Sequence, residues 1–225
     1  MHLPRRSYAA FLFDMDGTLI DSIASANTVW TRWANTHGIE PERVLQNMHG
    51  VRAVDTIRWL NVPGMDVERE ADLLTQAEID ATEGIVPIKG ALALLGSLPA
   101  NRWAVVTSAP RALVERRLEV AGIPKPRVLV AAEDVTRGKP APDGYLLAAR
   151  RLDVDARNCL VWEDAPAGIG AAEAAGADVV VISATHPEPL QTRHPVVVDY
   201  DGVTVTVNDN GMRVLNSSSA LPADR

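Results

Sequence analysis

Short apolar runs alternate along the chain with longer segments in which apolar residues recur every three or four positions. The runs are rich in β-branched residues and apolar on both faces, which is typical of buried parallel strands; they cover 9–13, 103–107, 127–132, 158–162 and 177–183. Helical periodicity, each time beginning at or near a proline, follows three of these runs and covers 110–122, 142–152 and 166–177. The alternation predicts an α/β fold with a Rossmann-like parallel sheet core and right-handed crossovers.

Residues 21–86 break this alternation, because their patterns are helical and contain no convincing strand. The segment that follows, VPIKGALALLGSL, is a helix candidate that returns the chain to the sheet. We therefore predict a core domain of residues 1–20 and 87–225 with an inserted all-helical cap of residues 21–86. The hinges between the two are expected near 20–22 and 83–87.

The last part of the chain has a different pattern. The segment GVTVTVNDNGMRVLN alternates with a period of two residues around Asn210-Gly211, which predicts a C-terminal β-hairpin. The segment after Leu215, NSSSALPADR, is expected to be a disordered end.

The charge balance narrows the classes of partner. The chain carries 22 Lys+Arg against 29 Asp+Glu, a formal net charge of −7. Non-specific binding to nucleic acid needs a basic face, so no nucleic-acid partner is expected. A small anionic substrate stays open, because a few well-placed donors make a local positive site.

Three features favour a cytoplasmic protein. The single cysteine, Cys159, excludes an internal disulfide and fits a reducing compartment. The apolar stretch that follows the first arginines ends at Asp14, which is too early for a secretion signal. No run approaches the length of a membrane span, so no membrane partner is expected. The sequence leaves the oligomeric state open and is compatible with a monomer.

Four of the predicted strands are followed by short segments that contain polar residues. The residues in question are Asp14, Asp16, Thr18, Thr107, Ser108, Gly138, Lys139, Pro140, Glu163 and Asp164. In open α/β sheets, ligands bind beyond the carboxyl ends of the strands. Four separate segments are therefore expected to bring carboxylates, hydroxyls and one lysine to one edge of the sheet.

The pair Asp14 and Asp16 crowds two negative charges at the tip of a buried strand, which costs several kcal/mol unless a partner offsets it. A calcium-binding loop does not fit, because Gly17 directly follows the second aspartate. A divalent cation that prefers oxygen ligands, most simply Mg²⁺, would offset the charge between Asp14, Asp16 and Asp164.

Taken together, these residues predict a phosphoryl-transfer site. Asp14 would attack phosphorus as the nucleophile and form an aspartyl-phosphate. Thr107, Ser108 and Lys139 would hold the phosphoryl oxygens, where charge develops. Asp16 would protonate the leaving alkoxide and then remove a proton from the attacking water.

Four ordered motifs over residues 9–182 resemble those of the haloacid dehalogenase-like phosphohydrolase superfamily: DMDGTLIDS, VVTS, RGKPAPDGYL and VWEDAPAGIGAAEAAGA. The resemblance implies a Rossmann-like core, an inserted helical cap and Mg²⁺-dependent phosphotransfer through an aspartyl-phosphate. It implies that Asp14 is the nucleophile, that Asp16 binds the metal through its backbone carbonyl, and that Asp164 is a further metal ligand. Glu163 would contact the metal directly or through water.

Finer stretches, HGVRAVDTI, GKPAPDGYL, EDAPAGI and the C-terminal hairpin, are similar to bacterial sugar phosphatases and to the yeast glycerol-3-phosphate and 2-deoxyglucose-6-phosphate phosphatases. This similarity implies hydrolysis of small sugar or polyol phosphate monoesters. Two residues depart from the pattern. Trp162 stands where a smaller residue is common, which concerns packing, and Lys89 stands where proline is common.

Two other functions stay open. A phosphosugar mutase resembling β-phosphoglucomutase would return the phosphoryl group to a second hydroxyl, but its cap histidine falls on Ala26 here, which favours hydrolysis. A catalytically quiet binding protein of the same fold is the other alternative, although Asp14, Asp16 and Lys139 are all present. A true dehalogenase lacks the second aspartate, so Asp16 argues against that reaction.

Two polar residues of the predicted cap, His49 and Arg52, lie between helices, and we expect them to contact the substrate when the cap closes. The alternative is a histidine at a helix end and a surface arginine. Trp30 and Trp33, at helical spacing, are expected in the cap core rather than under a sugar ring.

Overall fold

The computed structural model describes residues 3–186, 188 and 190–216. Its strands are β1 (Ala10–Phe13), β2 (Ile20–Asp21), β3 (Val86–Pro87), β4 (Trp103–Val106), β5 (Val128–Val130), β6 (Cys159–Glu163), β7 (Asp178–Ile182), β8 (Val196–Val197), β9 (Val203–Asn208) and β10 (Gly211–Asn216). Its α-helices are α1 (Ile23–Thr36), α2 (Pro41–Met48), α3 (Ala53–Leu60), α4 (Val67–Asp80), α5 (Ala91–Ser97), α6 (Arg111–Val120), α7 (Asp143–Arg151) and α8 (Pro166–Ala174). Within the described residues, no helix has both the length and the apolar character that a membrane crossing needs.

Six parallel strands form the central sheet, in the order β5-β4-β1-β6-β7-β8. Strand β1 pairs with β4 on one side and with β6 on the other, so Phe13 lies opposite both Val105 and Trp162. Residues that follow β1 therefore emerge between the ends of its two neighbours. The predicted Rossmann-like parallel sheet is confirmed. The sequence did not predict β8, because a strand of two residues is too short to show a pattern.

Both faces of the central sheet are covered by apolar residues. Large aromatic side chains cover one face, where the Trp162 ring lies 6.0 Å from the Phe13 ring and 5.3 Å from the Tyr200 ring, measured between centroids. Small and branched side chains, such as Ala10 and Val161, cover the other face with residues of α7 and α8. Burial on both faces explains why the strands are continuous apolar runs in the sequence.

The helices α1 to α4 enclose an apolar core of their own. The side chains of Trp30 and Trp33 lie in it, as their helical spacing indicated, with ring centroids 5.9 Å apart. Trp33 Nε1 donates a hydrogen bond to Glu70 Oε2 at 2.9 Å, so its one polar group is satisfied. The division into a core and a cap domain stays a prediction, and we call residues 21–86 the cap segment.

The two connections between the core and the cap segment lie side by side. Ile20 pairs with Pro87 and Asp21 with Val86, so β2 and β3 form an antiparallel ribbon. The sequence contained no convincing strand in this region, because two-residue strands have no visible period. The ribbon occupies the expected hinge positions and lets the chain leave and re-enter the core at one point.

The predicted C-terminal hairpin is present as β9 and β10. Asn208 pairs with Gly211, so the turn residues are Asp209 and Asn210, one position earlier than the sequence indicated. A Cβ on Gly211 would lie 2.5 Å from the Tyr8 carbonyl oxygen, which explains the glycine at the start of β10. The disordered end was predicted to begin at Asn216, but Asn216 belongs to β10, so the predicted start is one residue too early. Residues 217–225 lie outside the described part of the chain.

The aromatic cluster on the sheet predicts a large effect of truncating Trp162, whose side chain is fully buried. Trp162→Ala should lower the free energy of unfolding by about 3–5 kcal/mol, because it removes apolar area and leaves a cavity. Urea denaturation followed by circular dichroism measures this change. Trp59→Ala is the matched control, because Trp59 is 51% exposed; its effect should stay within about 1 kcal/mol. Equal losses for the two variants would contradict the assignment of Trp162 to the core.

Candidate active site

The loop after β1 and the end of β6 meet around one lysine. Lys139 Nζ forms an ion pair with Asp14 and donates a second hydrogen bond to Glu163 Oε1 at 2.6 Å. All three side chains are buried. The structure thus brings together residues that are far apart in the sequence, at the edge of the sheet where ligands bind.

Three buried carboxylates cluster at this edge of the sheet, and two of them, Asp14 and Glu163, contact Lys139. Oxygen atoms of Asp14, Glu163 and Asp164 lie within 4.8 Å of one another. Burial raises the pKa of Asp14 well above its usual range, and Lys139 only partly opposes this shift. Burial also raises the pKa of Asp164 to about 6. Crowded oxygen ligands of this kind fit a divalent cation, whose charge would favour the ionised form of each carboxylate.

Two glycines make room for these carboxylates. Gly17 has a φ of 81°, and a Cβ at this position would lie 2.0 Å from Asp164 Oδ2. A Cβ on Gly168 would lie 1.5 Å from Glu163 Oε1. Both distances are far below van der Waals contact, so any side chain would displace a carboxylate. The glycine of DMDG is therefore required both by its left-handed backbone and by the space that Asp164 occupies.

Glu163 is held by four hydrogen bonds. Its Oε1 accepts from Lys139 and from the Tyr145 hydroxyl, the latter at 2.9 Å. Its Oε2 accepts from the backbone N–H groups of Asp164 at 2.9 Å and Ala165 at 3.1 Å. These bonds use the full acceptor capacity of a carboxylate. Glu163 therefore positions Lys139 and the turn after β6, and a contact with a metal, directly or through water, would have to replace one of these bonds.

The two hydroxyl residues after β4 make different contacts. Thr107 Oγ1 accepts a hydrogen bond from the N–H of Ala109 at 3.1 Å, whereas Ser108 Oγ donates one to the Gly50 carbonyl at 2.8 Å. Gly50 belongs to the cap segment, so Ser108 connects the core to the cap. Thr107 and Ser108 both line the same cavity as Asp14.

This cavity lies between the core and the cap segment. Asp14 and Asp16 line it from the core, and Ala26, Trp30 and His49 line it from the cap segment. Its volume is about 70 Å³, well below the roughly 300–1,000 Å³ of typical ligand pockets. In this arrangement the cavity is smaller than such pockets, and we expect a ligand to enter when the cap segment moves away from the core.

The two cap residues predicted to contact the substrate lie in different places. His49 lines the cavity, and burial lowers the pKa of its imidazole although the nearby Asp16 raises it. Arg52 Nε donates a hydrogen bond to Asp55 at 2.6 Å, and Nη1 donates one to the Val135 carbonyl at 3.3 Å. Arg52 does not line this cavity but lines a neighbouring one together with Thr107, Ser108 and Lys139, and its contact with substrate stays a prediction.

Asp16 has two partners that sequence reasoning missed. Its Oδ1 accepts hydrogen bonds from Ser22 Oγ at 2.6 Å and from Arg117 Nη1 at 2.9 Å. Arg117 Nη2 in turn donates to Glu78 Oε1 at 2.9 Å. Arg117 and Glu78 each lie four residues after a buried leucine, on the inward face of α6 and α4. A charged residue at a position where helical periodicity calls for an apolar one is a signal that could have identified both.

A family model for haloacid dehalogenase-like hydrolases matches residues 8–176. The chain belongs to this family. The resemblance that the four motifs carry is thereby confirmed.

Individual relatives of this haloacid dehalogenase-like hydrolase cover most of its length. Hexitol phosphatase A of Escherichia coli (strain K12) is 40% identical over 208 residues, which cover 89% of this chain and 95% of that protein. Glycerol-1-phosphate phosphohydrolase 2 of Saccharomyces cerevisiae is 33% identical over 187 residues, covering 78% of this chain and 75% of that protein. Among solved structures, a hydrolase from Pseudomonas syringae superposes with a TM-score of 0.70 at 26% identity, covering 78% of this chain and 84% of that one.

The acidic cluster of this hydrolase predicts that Mg²⁺ stabilises the fold. Added Mg²⁺ should raise the melting temperature of the wild type, because a ligand that binds only the folded state stabilises it. Asp164→Asn should abolish most of this rise in melting temperature, because it removes the charge of one carboxylate of the cluster.

Melting curves with EDTA and with a titration of Mg²⁺ measure both effects. Asp72→Asn, on the exposed face of α4, is the control and should keep the full response to Mg²⁺. An undiminished response in Asp164→Asn would place the metal elsewhere.

Proposed function

We propose that this hydrolase removes the phosphoryl group from small sugar or polyol phosphate monoesters, with Mg²⁺ and through an aspartyl-phosphate on Asp14. The observation that carries the proposal is the placement of Asp14, which lines the cavity under the cap segment, pairs with Lys139 and belongs to the acidic cluster. The curated relatives named above are phosphatases, and one carries a hexitol and the other a glycerol phosphate in its name. A location in the cytoplasm is part of the proposal.

Asp14 is the nucleophile in this scheme. One of its carboxylate oxygens forms a bond to phosphorus while the bond between phosphorus and the leaving oxygen breaks. Lys139 stays charged throughout, because Asp14 and Glu163 raise its pKa above the usual value although burial opposes the shift. Its ammonium group, with the hydroxyls of Thr107 and Ser108 and the backbone N–H of Ser108, stabilises the negative charge on the transferred phosphoryl oxygens. The backbone N–H of Thr107 is not a donor here, because it already donates to the Val130 carbonyl at 3.0 Å.

Asp16 moves the proton in both steps. As a carboxylic acid it gives its proton to the leaving alkoxide oxygen, so that a neutral alcohol departs. As a carboxylate it then takes a proton from the water that attacks the aspartyl-phosphate. This second step regenerates Asp14 and releases inorganic phosphate. The placement of Asp16 supports this role, because it lines the same cavity as Asp14 and its side chain is 26% exposed.

Asp14, Asp164 and the backbone carbonyl of Asp16 are the proposed ligands of Mg²⁺. When bound, the cation supplies positive charge that offsets the crowded carboxylates and the phosphoryl group. Glu163 supports the site by fixing Lys139 and, in this proposal, contacts the metal through water.

Hydrolysis is favoured over transfer to a second sugar hydroxyl. The position that corresponds to the mutase histidine is Ala26, which lines the cavity and offers no group that can move a proton. A catalytically quiet binding protein is disfavoured, because Asp14, Asp16 and Lys139 are all in place at the cavity or beside it.

The role of Asp14 predicts that Asp14→Asn abolishes phosphate release from a panel of small phosphomonoesters, because an amide oxygen is a far weaker nucleophile. EDTA should have the same effect on the wild type, and Mg²⁺ should reverse it. Phosphate release and melting temperature are measured on each protein. Asp209→Asn, in the exposed hairpin turn, is the control and should keep full activity. Substantial turnover by a folded Asp14→Asn protein would remove Asp14 as the nucleophile.

The cap segment predicts a change in KM that depends on the substrate. His49→Ala should raise KM for a hexitol phosphate by ~10-fold, the loss expected from one polar contact. It should raise KM for p-nitrophenyl phosphate much less, because that substrate lacks the polyol hydroxyls. Arg52→Ala tests the second predicted contact in the same assay. Equal changes for both substrates would remove the residue concerned from the specificity determinants.

A further inference from the structure

A buried arginine connects Asp16 to the cap segment. Arg117, on core helix α6, has a side chain that is only 4% exposed. Its Nη1 donates to Asp16 Oδ1 and its Nη2 to Glu78 Oε1, both at 2.9 Å. Glu78 lies in the last turn of α4, near the end of the cap segment, and is itself buried. One guanidinium group therefore bridges a carboxylate of the core and a carboxylate of the cap segment.

The bridge satisfies charges that would be costly alone. A buried guanidinium without a partner is strongly unfavourable, and so is a buried carboxylate. The planar fork of Arg117 presents N–H groups of two separate nitrogen atoms to Asp16 and Glu78, whereas a lysine has all its donors on one nitrogen and cannot reproduce this geometry. Because Arg117 holds a permanent charge, the bridge persists as long as α4 stays packed on α6.

A hydrogen bond from Ser22 also helps to hold the Asp16 carboxylate in place. Ser22 Oγ donates a hydrogen bond to Asp16 Oδ1 at 2.6 Å, so this oxygen accepts one hydrogen bond from Ser22 and one from Arg117. No hydrogen bond from the described residues reaches Asp16 Oδ2, which leaves that oxygen available to the cavity. Ser22 precedes α1 and Glu78 lies in the last turn of α4, so both ends of the cap segment converge on Asp16.

We propose that Glu78 and Arg117 are positioning residues for the proton transfer by Asp16. Packing of α4 on the core places Glu78 against Arg117, and Arg117 fixes Asp16 Oδ1 so that Oδ2 can give a proton to the leaving oxygen. In that step the Oδ2–H bond breaks and an O–H bond forms on the leaving alkoxide, while the phosphoryl group passes to Asp14. The inference rests on the proposed function, since it assigns Asp16 as the acid.

Substrates with different leaving groups can distinguish a positioning role of Arg117 and Glu78 from a merely structural one. An alkoxide from a sugar or polyol is a poor leaving group and needs the proton, whereas p-nitrophenolate departs without it. The parameter kcat/KM reports events up to the first irreversible step, which is the step that uses the acid. A mispositioned Asp16 should therefore lower kcat/KM for an alkyl phosphate far more than for p-nitrophenyl phosphate.

The test compares Glu78→Gln and Arg117→Lys with the wild type, using sorbitol 6-phosphate, glycerol phosphate and p-nitrophenyl phosphate. Arg117→Lys should lower kcat/KM for the two alkyl phosphates by ~10²-fold, the lower end of the contribution of general acid catalysis, and for p-nitrophenyl phosphate by less than ~5-fold. Glu78→Gln, which acts through Arg117, should give a smaller loss of the same selectivity. In both variants the alkyl phosphates should lose kcat rather than gain KM.

Matched controls are available on the same two helices. Glu70→Gln on α4 removes the charge of the acceptor that Trp33 contacts, and Arg116→Lys on α6 alters a surface pair with Glu119. Both variants should keep the wild-type ratio of kcat/KM between the substrates. If Arg117→Lys does not fold, as its melting curve would reveal, Glu78→Gln alone decides the matter. Equal losses of kcat/KM for all three substrates in a folded variant would overturn the inference. A wild type that releases no phosphate from any substrate would instead overturn the proposed function.

Discussion

The ion pair between Lys139 and Asp14 lies where water cannot replace either partner, since both side chains are buried at the carboxyl end of the central sheet. A charge in such a place persists only when opposite charge is close, because the penalty for removing it from water is large. Lys139 has two carboxylate partners, whereas the cluster contains three carboxylates. The excess of negative charge is the physical reason why the site fits a divalent cation, whose charge would in turn favour an anionic phosphoryl group.

Rigid neighbours keep these charges at fixed distances. Asp14 follows the central strand β1, and Glu163 ends β6, which pairs with it. The rings of Phe13 and Trp162 pack directly beneath, on the fully buried face of the same two strands. Because strands in a packed sheet cannot slide independently, the separation of the carboxylates is set by backbone pairing rather than by side-chain flexibility. Trp162, which departs from the pattern of the similar phosphatases, is thus accommodated by packing and leaves the charged residues untouched.

The sequence predicted features that depend on local pattern. Continuous β-branched runs indicated the strands, and residues at their ends indicated Asp14, Lys139 and Asp164 as neighbours. The ribbon of β2 and β3 could not be predicted from the sequence. Its two strands are too short to show a period, and its pairs, such as Ile20 with Pro87, join residues far apart in the chain. The bridge through Arg117 was missed for a similar reason. Contacts between helices that are distant in the sequence depend on how those helices pack, which periodicity alone does not determine.

Polar contacts connect the core to the cap segment. Ser108 bonds to Gly50, Arg52 to the Val135 carbonyl, and Arg117 to Glu78, so the two parts meet through hydrogen bonds and ion pairs as well as apolar contacts. Water can replace such partners when the parts separate, which makes opening less costly than exposure of an apolar core. In the proposed function the cavity of about 70 Å³ is expected to open for substrate to enter, and reclosure would restore these contacts around Asp16. If Asp16 is the acid, as proposed, one movement would serve both the chemistry and the exclusion of water, because the groups that position Asp16 also connect the cap segment to the core.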